Sequence, residues 1–378
     1  MQRGFAQAEF ENRTRRAQKM METAGLDALL LTTEADVRYF TGYLTRFWES
    51  PSRPWFLVVP NEGKPIAVIP SIGAALMGQT WIDDIRTWRA PDLADDGVSL
   101  LTDTLNAFAN IGTPMGYESH LRMPLADWAR VQAGLRPSVS DDAGIVARLR
   151  SVKSDIEIAK IEHACTIAGR AFARVPEIAA KGVPLSRVFR NFQRLCLEEG
   201  ADWVPYLAGG AAQGGYGDVI SPASDAALAQ GDVLMLDTGL VWDGYFCDFD
   251  RNFSLGAPTP QTEAAYARLI DAVDAAADIA RVGTTAAQLF HAMDSIVTGG
   301  AGGSEAGRLG HGLGMQLTEG LSLVPDDQTV LEEGMVITLE PGISVEGGKI
   351  LVHEEDIVIT GGAPRFLSPR AGREMVQV

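Results

Sequence analysis

The chain has 378 residues, of which 46% are hydrophobic and 21% charged, so it is neither disordered nor fibrous and has apolar side chains enough for two cores. Its 49 acidic against 32 basic residues leave a net charge of −17, which sets it against nucleic acid and anionic membrane surfaces. No apolar run reaches the roughly eighteen residues of a membrane span.

Cys165, Cys196 and Cys247 are an odd, scattered set that suits a reducing cytoplasm, and the N-terminal MQRGFAQAEF has no apolar core of a secretory signal. Residues 8–24 carry apolar positions at helical spacing, and Gly25 stands where a helix C-terminal glycine belongs. Short apolar runs at 26–31, 55–59 and 65–69 read as strands, the last two separated by a turn at Asn61-Glu62-Gly63. Helical stretches near 72–79, 98–110 and 123–135 alternate with them, which predicts an α/β domain with a mixed sheet over residues 1–150. Ser154 followed three residues later by Glu157 predicts a capping box opening the next helix. Helices near 154–180 and 184–199, strands at 233–240 and 245–254, helices near 261–280 and 285–297, and strands at 335–340 and 350–360 then make residues 151–378 an α+β domain.

Five side chains in separate segments of that second half are candidate metal ligands. Asp237 closes the apolar run Leu234-Met235-Leu236, and Asp248 follows a turn at Asp243-Gly244. His311 lies between glycines in Gly310-His311-Gly312. Glu340 ends an apolar strand stopped by Pro341-Gly342, and alternation puts Glu355 on the same face as His353 and Ile357. An acid at the end of an apolar strand is costly unless something positive offsets it. Four carboxylates with one imidazole suit Mn, Co, Zn or Fe(II), and their charge balances two divalent ions about 3.5–4 Å apart better than one.

These segments resemble the pita-bread metallopeptidase family of methionine aminopeptidase, aminopeptidase P, prolidase and creatinase. The resemblance rests on LDTG (Asp237), DGYFCDFDRNF (Asp248), GHGLG (His311), TLEPGI (Glu340) and EEDIVIT (Glu355), with residues 1–150 similar to the N-terminal domain of the creatinase, prolidase and aminopeptidase P branch. It implies a pita-bread catalytic domain and two divalent ions, manganese foremost. Asp248 and Glu355 would bridge them, Asp237 would chelate one, and His311 with Glu340 would hold the other. Glu340 would shuttle the proton and His311 would be the second catalytic residue. The implied reaction is Xaa-Pro dipeptidase-like or aminopeptidase P-like hydrolysis of a small peptide-like substrate. Relatives on the fold also hydrolyse creatine or ectoine, or cleave dimethylsulfoniopropionate, and that chemistry is the alternative. A binding module without catalysis has no need of five intact ligands.

The chain also departs from the family. The histidine expected shortly after GHGLG is missing, with Thr318 in its place, and the loop before the first metal aspartate, with Tyr216 and Asp218, has none either. Tyr216, Asp218 and Thr318 are therefore the candidate substitutes in substrate binding. In the N-terminal half Arg46 and Trp48 lie in an aromatic stretch that reaches a partner's site in creatinase-like relatives. That implies a homodimer, with Arg46 and Trp48 holding a carboxylate or a cationic head group, or else forming a core or interface cluster. Arg251 and Tyr245 are expected to orient Asp248. His120, His163 and His291 are expected to be structural, and His353 is set apart by its nearness to Glu355.

Overall fold

The structure is a computed structural model that describes residues 1–50, 54–116, 121–302 and 307–378. It divides into two compact units, Gln2–Arg150 and Ser151–Val378.

In the first unit the apolar runs become strands β1 (Ala28–Leu31) and β2 (Phe56–Pro60), every residue of which is buried. With β3 (Ile66–Pro70), β4 (Asp84–Trp88), β5 (Asn110–Thr113) and β6 (Ser138–Asp141) they form a sheet in the order β4-β3-β2-β1-β5-β6. The β1/β2 and β2/β3 pairs are antiparallel and the others parallel, so the sheet is mixed. Ala28 and Leu30 face one side, where the helices Val98–Leu105 and Leu125–Gly134 add Val98, Leu101, Leu105 and Val131 to the core. The helix Gln7–Ala24 stops because Gly25 takes φ +69°, and its N–H caps the carbonyls of Met21 and Glu22.

The aromatic stretch of this unit is divided between surface and core. Trp48 is buried, its ring 5.7 Å from that of Trp55, which in turn lies 5.5 Å from Tyr43. Trp48 is thus a core residue, the alternative the sequence offered, because its indole is buried against Trp55. Arg46 is exposed.

The second unit opens as the sequence suggests. Ser154 and Glu157 form the capping box of the helix Asp155–Ala173. That helix ends earlier than the expected 180, since Pro176 cannot continue it and a 3₁₀ turn follows at Val175–Glu177. It pairs with the helix Leu185–Glu199, and Phe172 packs between Phe192 at 4.8 Å and Phe249 at 5.2 Å. The main sheet is β7 (Trp203–Gln213), β8 (Asp232–Trp242), β10 (Phe249–Ser254) and β16 (Val376–Gln377), with the short β9 (Tyr245–Phe246) paired to β8. β8 is buried along its whole length between β7 and β10. Smaller sheets are formed by β11 (Val336–Leu339), β14 (Glu355–Val358) and β15 (Arg365–Phe366), and by β12 (Gly342–Val345) with β13 (Lys349–Val352). Helices Pro260–Ile279 and Ala286–Val297 share a core with Val233 and Met235 of β8, Ile337 of β11 and Ile357 of β14. None of the described helices is long and apolar enough to cross a membrane.

Two strands expected to be continuous are broken. The 245–254 run is interrupted at Cys247-Asp248, and the 350–360 run at His353-Glu354. Both interruptions hold acids of the site.

Candidate metal centre

Alternation along β8 puts Asp237 on the same face as Val233 and Met235. The Tyr206 hydroxyl on β7 donates to Asp237 Oδ2 at 2.8 Å. Gly239 makes room for that ring, since a Cβ there would stand 3.3 Å from Tyr206 Cβ and 2.2 Å from a Leu317 methyl. Asp248 leaves the ladder, its N–H donating to Asp356 Oδ2 at 3.0 Å. His311 is pinned by its own backbone: its N–H reaches Thr338 Oγ1 at 3.2 Å, and its carbonyl takes the Thr338 N–H at 2.7 Å. Glu340 follows β11, its N–H donating to the Leu309 carbonyl at 2.9 Å, and its side chain keeps some exposure.

The glycines around His311 serve close backbone approach. Gly310 has φ +140°, and a Cβ there would sit 2.2 Å from the Thr338 carbonyl oxygen. Gly310→Ala is expected to lose about 2–4 kcal/mol of stability in urea unfolding, through strain and overpacking together. An unchanged midpoint would show that the loop gives way freely.

Single ligand atoms of Asp248, His311 and Glu354 lie within 4.8 Å of one another, and all three residues are buried. His311 Nδ1 is 3.0 Å from the Gly312 carbonyl oxygen, which can only accept, so Nδ1 carries the proton and Nε2 presents a lone pair. That lone pair lies 3.3 Å from Asp248 Oδ2. Burial and then the charge of Arg308 pull the His311 pKa down to about 4, so the ring is neutral at pH 7. A lone pair facing a carboxylate oxygen is repulsive unless a proton or a cation lies between them.

The carboxylates state the same case. Burial, and then Asp248 and Glu340, push Asp237 well above the usual carboxylate range. Burial and Glu340 do the same to Asp248, and burial followed by Asp248, Glu340 and Asp237 to Glu354. Glu340 is raised chiefly by burial. Asp237 Oδ1, Asp248 Oδ1 and Glu354 Oε1 are buried without a hydrogen-bond partner. Acids with oxygens left unsatisfied toward one another fit bound cations, which would satisfy oxygen and charge together.

The pattern of Metallopeptidase family M24 matches residues 159–361, and that of the Creatinase/Prolidase N-terminal domain matches residues 13–152. The chain is 31% identical to a protein named probable dipeptidase PepE of Mycobacterium tuberculosis over 342 residues, 89% of this chain and 88% of that one. The chain belongs to metallopeptidase family M24. Its fold also matches the crystal structure of dipeptidase PepE from Mycobacterium ulcerans, with TM-score 0.84 and 27% identity over 99% of both chains. An Xaa-Pro dipeptidase from Bacillus anthracis matches with TM-score 0.84 over 98% of this chain and 100% of that one, at 20% identity. The architecture is therefore a creatinase/prolidase-type N-terminal domain followed by a pita-bread domain, and family membership makes the protein a metal-dependent hydrolase.

Of the expected residues the structure groups Asp248 and His311, with Glu354 in the place expected for Glu355, and the charges of Asp237 and Glu340 act on the same acids. Glu355 points elsewhere: its oxygens take the Ser368 hydroxyl, the Ala371 N–H at 2.8 Å and Arg251 Nη2 at 2.9 Å, and lie 3.3 Å from His353 Nε2. Burial opposes ionisation there, yet Arg251 and His353 hold Glu355 down at about 2. The alternation that places Glu355 with His353 is correct, but that face is turned to Arg251, and its neighbour Glu354 is the acid turned to Asp248.

Other expected residues also move. Tyr216 is buried, its hydroxyl accepting the Val352 N–H and lying 3.3 Å from Asn252 Oδ1, so it ties loop to strand and offers nothing to substrate. Asp218 is exposed, and its carboxylate is taken by the N–H groups of Ile220 and Ser221 and by the Ser221 hydroxyl, a local turn. Tyr245 donates to Glu157 at 2.9 Å and not to Asp248. Arg251 reaches the Glu354 carbonyl at 3.2 Å and so supports Glu354. His353 Nδ1 lies 3.2 Å from Asp250 Oδ1, which also accepts the Glu354 N–H at 3.1 Å. His163 packs on Trp242 and His291 on Phe290, while His120 lies outside the described residues.

Sequence reasoning missed Glu354, Tyr206 and Arg308. Only Glu354 left a signal, in the choice of face within the paired acids of EEDIVIT.

Proposed function

We propose that the protein hydrolyses an amide bond of a small dipeptide-like substrate, using two divalent ions held by Asp237, Asp248, His311, Glu340 and Glu354. The observation that carries this is the set of buried oxygens without partners on Asp237, Asp248 and Glu354, with Asp248 and Glu354 grouped beside Nε2 of His311. Relatives named dipeptidase and Xaa-Pro dipeptidase support the choice of substrate. Divalent cations bound there supply Lewis acidity and bring the pKa of water toward about 7, and manganese is the ion to try first.

The chain's own groups then divide the work. Tyr206 holds Asp237 in one orientation through its 2.8 Å hydrogen bond. Asp250 and Arg251 hold the backbone of Glu354. Glu340, partly exposed and raised in pKa, is placed to accept a proton from the attacking water and return it to the leaving amine. The neutral His311 keeps Nε2 available as a ligand because Gly312 holds the proton on Nδ1.

One observation favours a second reading, in which the same centre acts on a small metabolite such as creatine, ectoine or dimethylsulfoniopropionate. Thr318, where peptidase relatives carry histidine, is bonded to Arg308, so that position has changed its chemistry. Mn(II)-loaded protein assayed on Ala-Pro and Gly-Pro, and then on the three metabolites, separates the two. Turnover of a dipeptide that stops on chelation and returns with Mn(II) supports the first reading. Turnover confined to a metabolite replaces it with the second.

A further inference from the structure

Arg308 is a cation beside a cluster of acids and paired with none. It is half-buried, three residues ahead of His311, and among the described residues its side chain makes no ion pair within 4.0 Å. Its one hydrogen bond to a described residue runs from Nη2 to Thr318 Oγ1 at 3.1 Å. Yet it is close enough to matter to the site, since its charge opposes protonation of Asp248 and Glu340 and helps keep His311 neutral.

Metal binding changes what that charge faces. Two divalent ions would cancel four nearby carboxylates, and among the described residues the guanidinium would be left as a positive charge with no counter-ion. Thr318 restrains the planar fork while Nε and Nη1 remain free to donate, and a hydroxyl that accepts from Arg308 still has its own proton to give. Two guanidinium donors and one hydroxyl donor are what a carboxylate takes from a binding site.

We propose that Arg308, held by Thr318, anchors a carboxylate of the substrate next to the metal centre and so restricts the enzyme to small anionic substrates. The inference rests on the metal-centre reading above. It makes Arg308 a specificity-determining residue and gives Thr318 the task of positioning it.

The test uses the intact chain loaded with Mn(II), metal content measured first, and calorimetric titration with propionate and with its neutral analogue propionamide. Arg308→Met should retain metal and lose about tenfold or more in propionate affinity, as expected for removing a charge-assisted fork. Arg308→Lys should restore part of the loss, because the charge returns without the fork. Thr318→Val should weaken propionate less than Arg308→Met does, and propionamide should bind all four proteins equally weakly. Propionate affinity that is unchanged in metal-loaded Arg308→Met, or no discrimination between propionate and propionamide by the parent protein, overturns the assignment alone. A parent protein that takes up no metal overturns the metal-centre reading, and this inference with it.

Discussion

Glu354→Ala protein is expected to purify folded but poor in metal, and Glu355→Ala protein to show the opposite defect. Glu354 presents a buried oxygen without a partner toward Asp248 and His311, so its removal takes away a ligand while relieving repulsion in the metal-free state. Loss of a supporting residue behind a ligand commonly costs 10–100-fold in metal affinity, so loss of the ligand itself should exceed about 100-fold, with activity falling in step. Glu355 is bound by Arg251 at 2.9 Å and by Ser368 and Ala371, and its carboxylate is fully buried. Removing it leaves the Arg251 charge without its carboxylate and His353 Nε2 without the acid it faces, at roughly 3–5 kcal/mol of stability. Metal analysis and urea unfolding on the two variants distinguish them. Stable, metal-free Glu355→Ala beside metal-replete Glu354→Ala would return Glu355 to the site and reverse the assignment.

That contrast marks where sequence patterning runs out. Asp237 and Glu340 were legible because each is the acid at the end of a mostly apolar run, after Leu234-Met235-Leu236 and after Val336–Leu339. Glu354 and Glu355 are adjacent and equally acidic, so composition does not rank them. Period-two alternation separates their faces without saying which face meets the metal. The deciding facts are tertiary: Arg251, from β10, occupies one face, and Asp248, from the break before β10, the other. The breaks themselves were hidden, because Cys247-Asp248 and His353-Glu354 lie inside runs whose apolar pattern continues on both sides.

The same limit applied to partners contributed by other strands. Tyr206 comes from β7 and Arg308 from the segment before His311, and nothing in either local sequence names its target. Tyr216 erred in the other direction, and for Trp48 the structure takes the core-cluster alternative. Aromatic residues in Gly-rich or polar stretches read as exposed binding groups, while the fold closes one over Trp55 and ties the other to Val352 and Asn252. Architecture was easier to read. Ser154 with Glu157, Gly25, and the buried runs at β1 and β2 each express local rules that the tertiary structure had no cause to override.

The metal-free protein should lose stability as pH rises from about 4, and the gain on adding divalent metal should grow over the same range. Asp237, Asp248 and Glu354 all have pKa values pushed up in the folded state, by burial first and by one another next. A carboxyl raised in this way holds its proton in the folded chain after the unfolded chain, at about 4, has released it. The folded state then binds more protons than the unfolded one, so stability falls with rising pH until the folded groups have also ionised. Cations bind the ionised forms and therefore compete with protons at low pH and prevail at high pH. An ion at a hundredfold excess over its Kd adds about 2.7 kcal/mol, which for a domain of this size moves Tm by roughly 5–10 °C. Thermal unfolding with chelator and with Mn(II) at pH 5.5, 6.5 and 7.5 reads the difference directly, and groups remote from the site cancel in it. The difference should widen with pH in the parent protein and shrink toward zero in Asp248→Asn. A metal shift that stays the same at all three pH values would mean that the clustered acids are already ionised without the cation, and that their crowding is relieved by something other than metal.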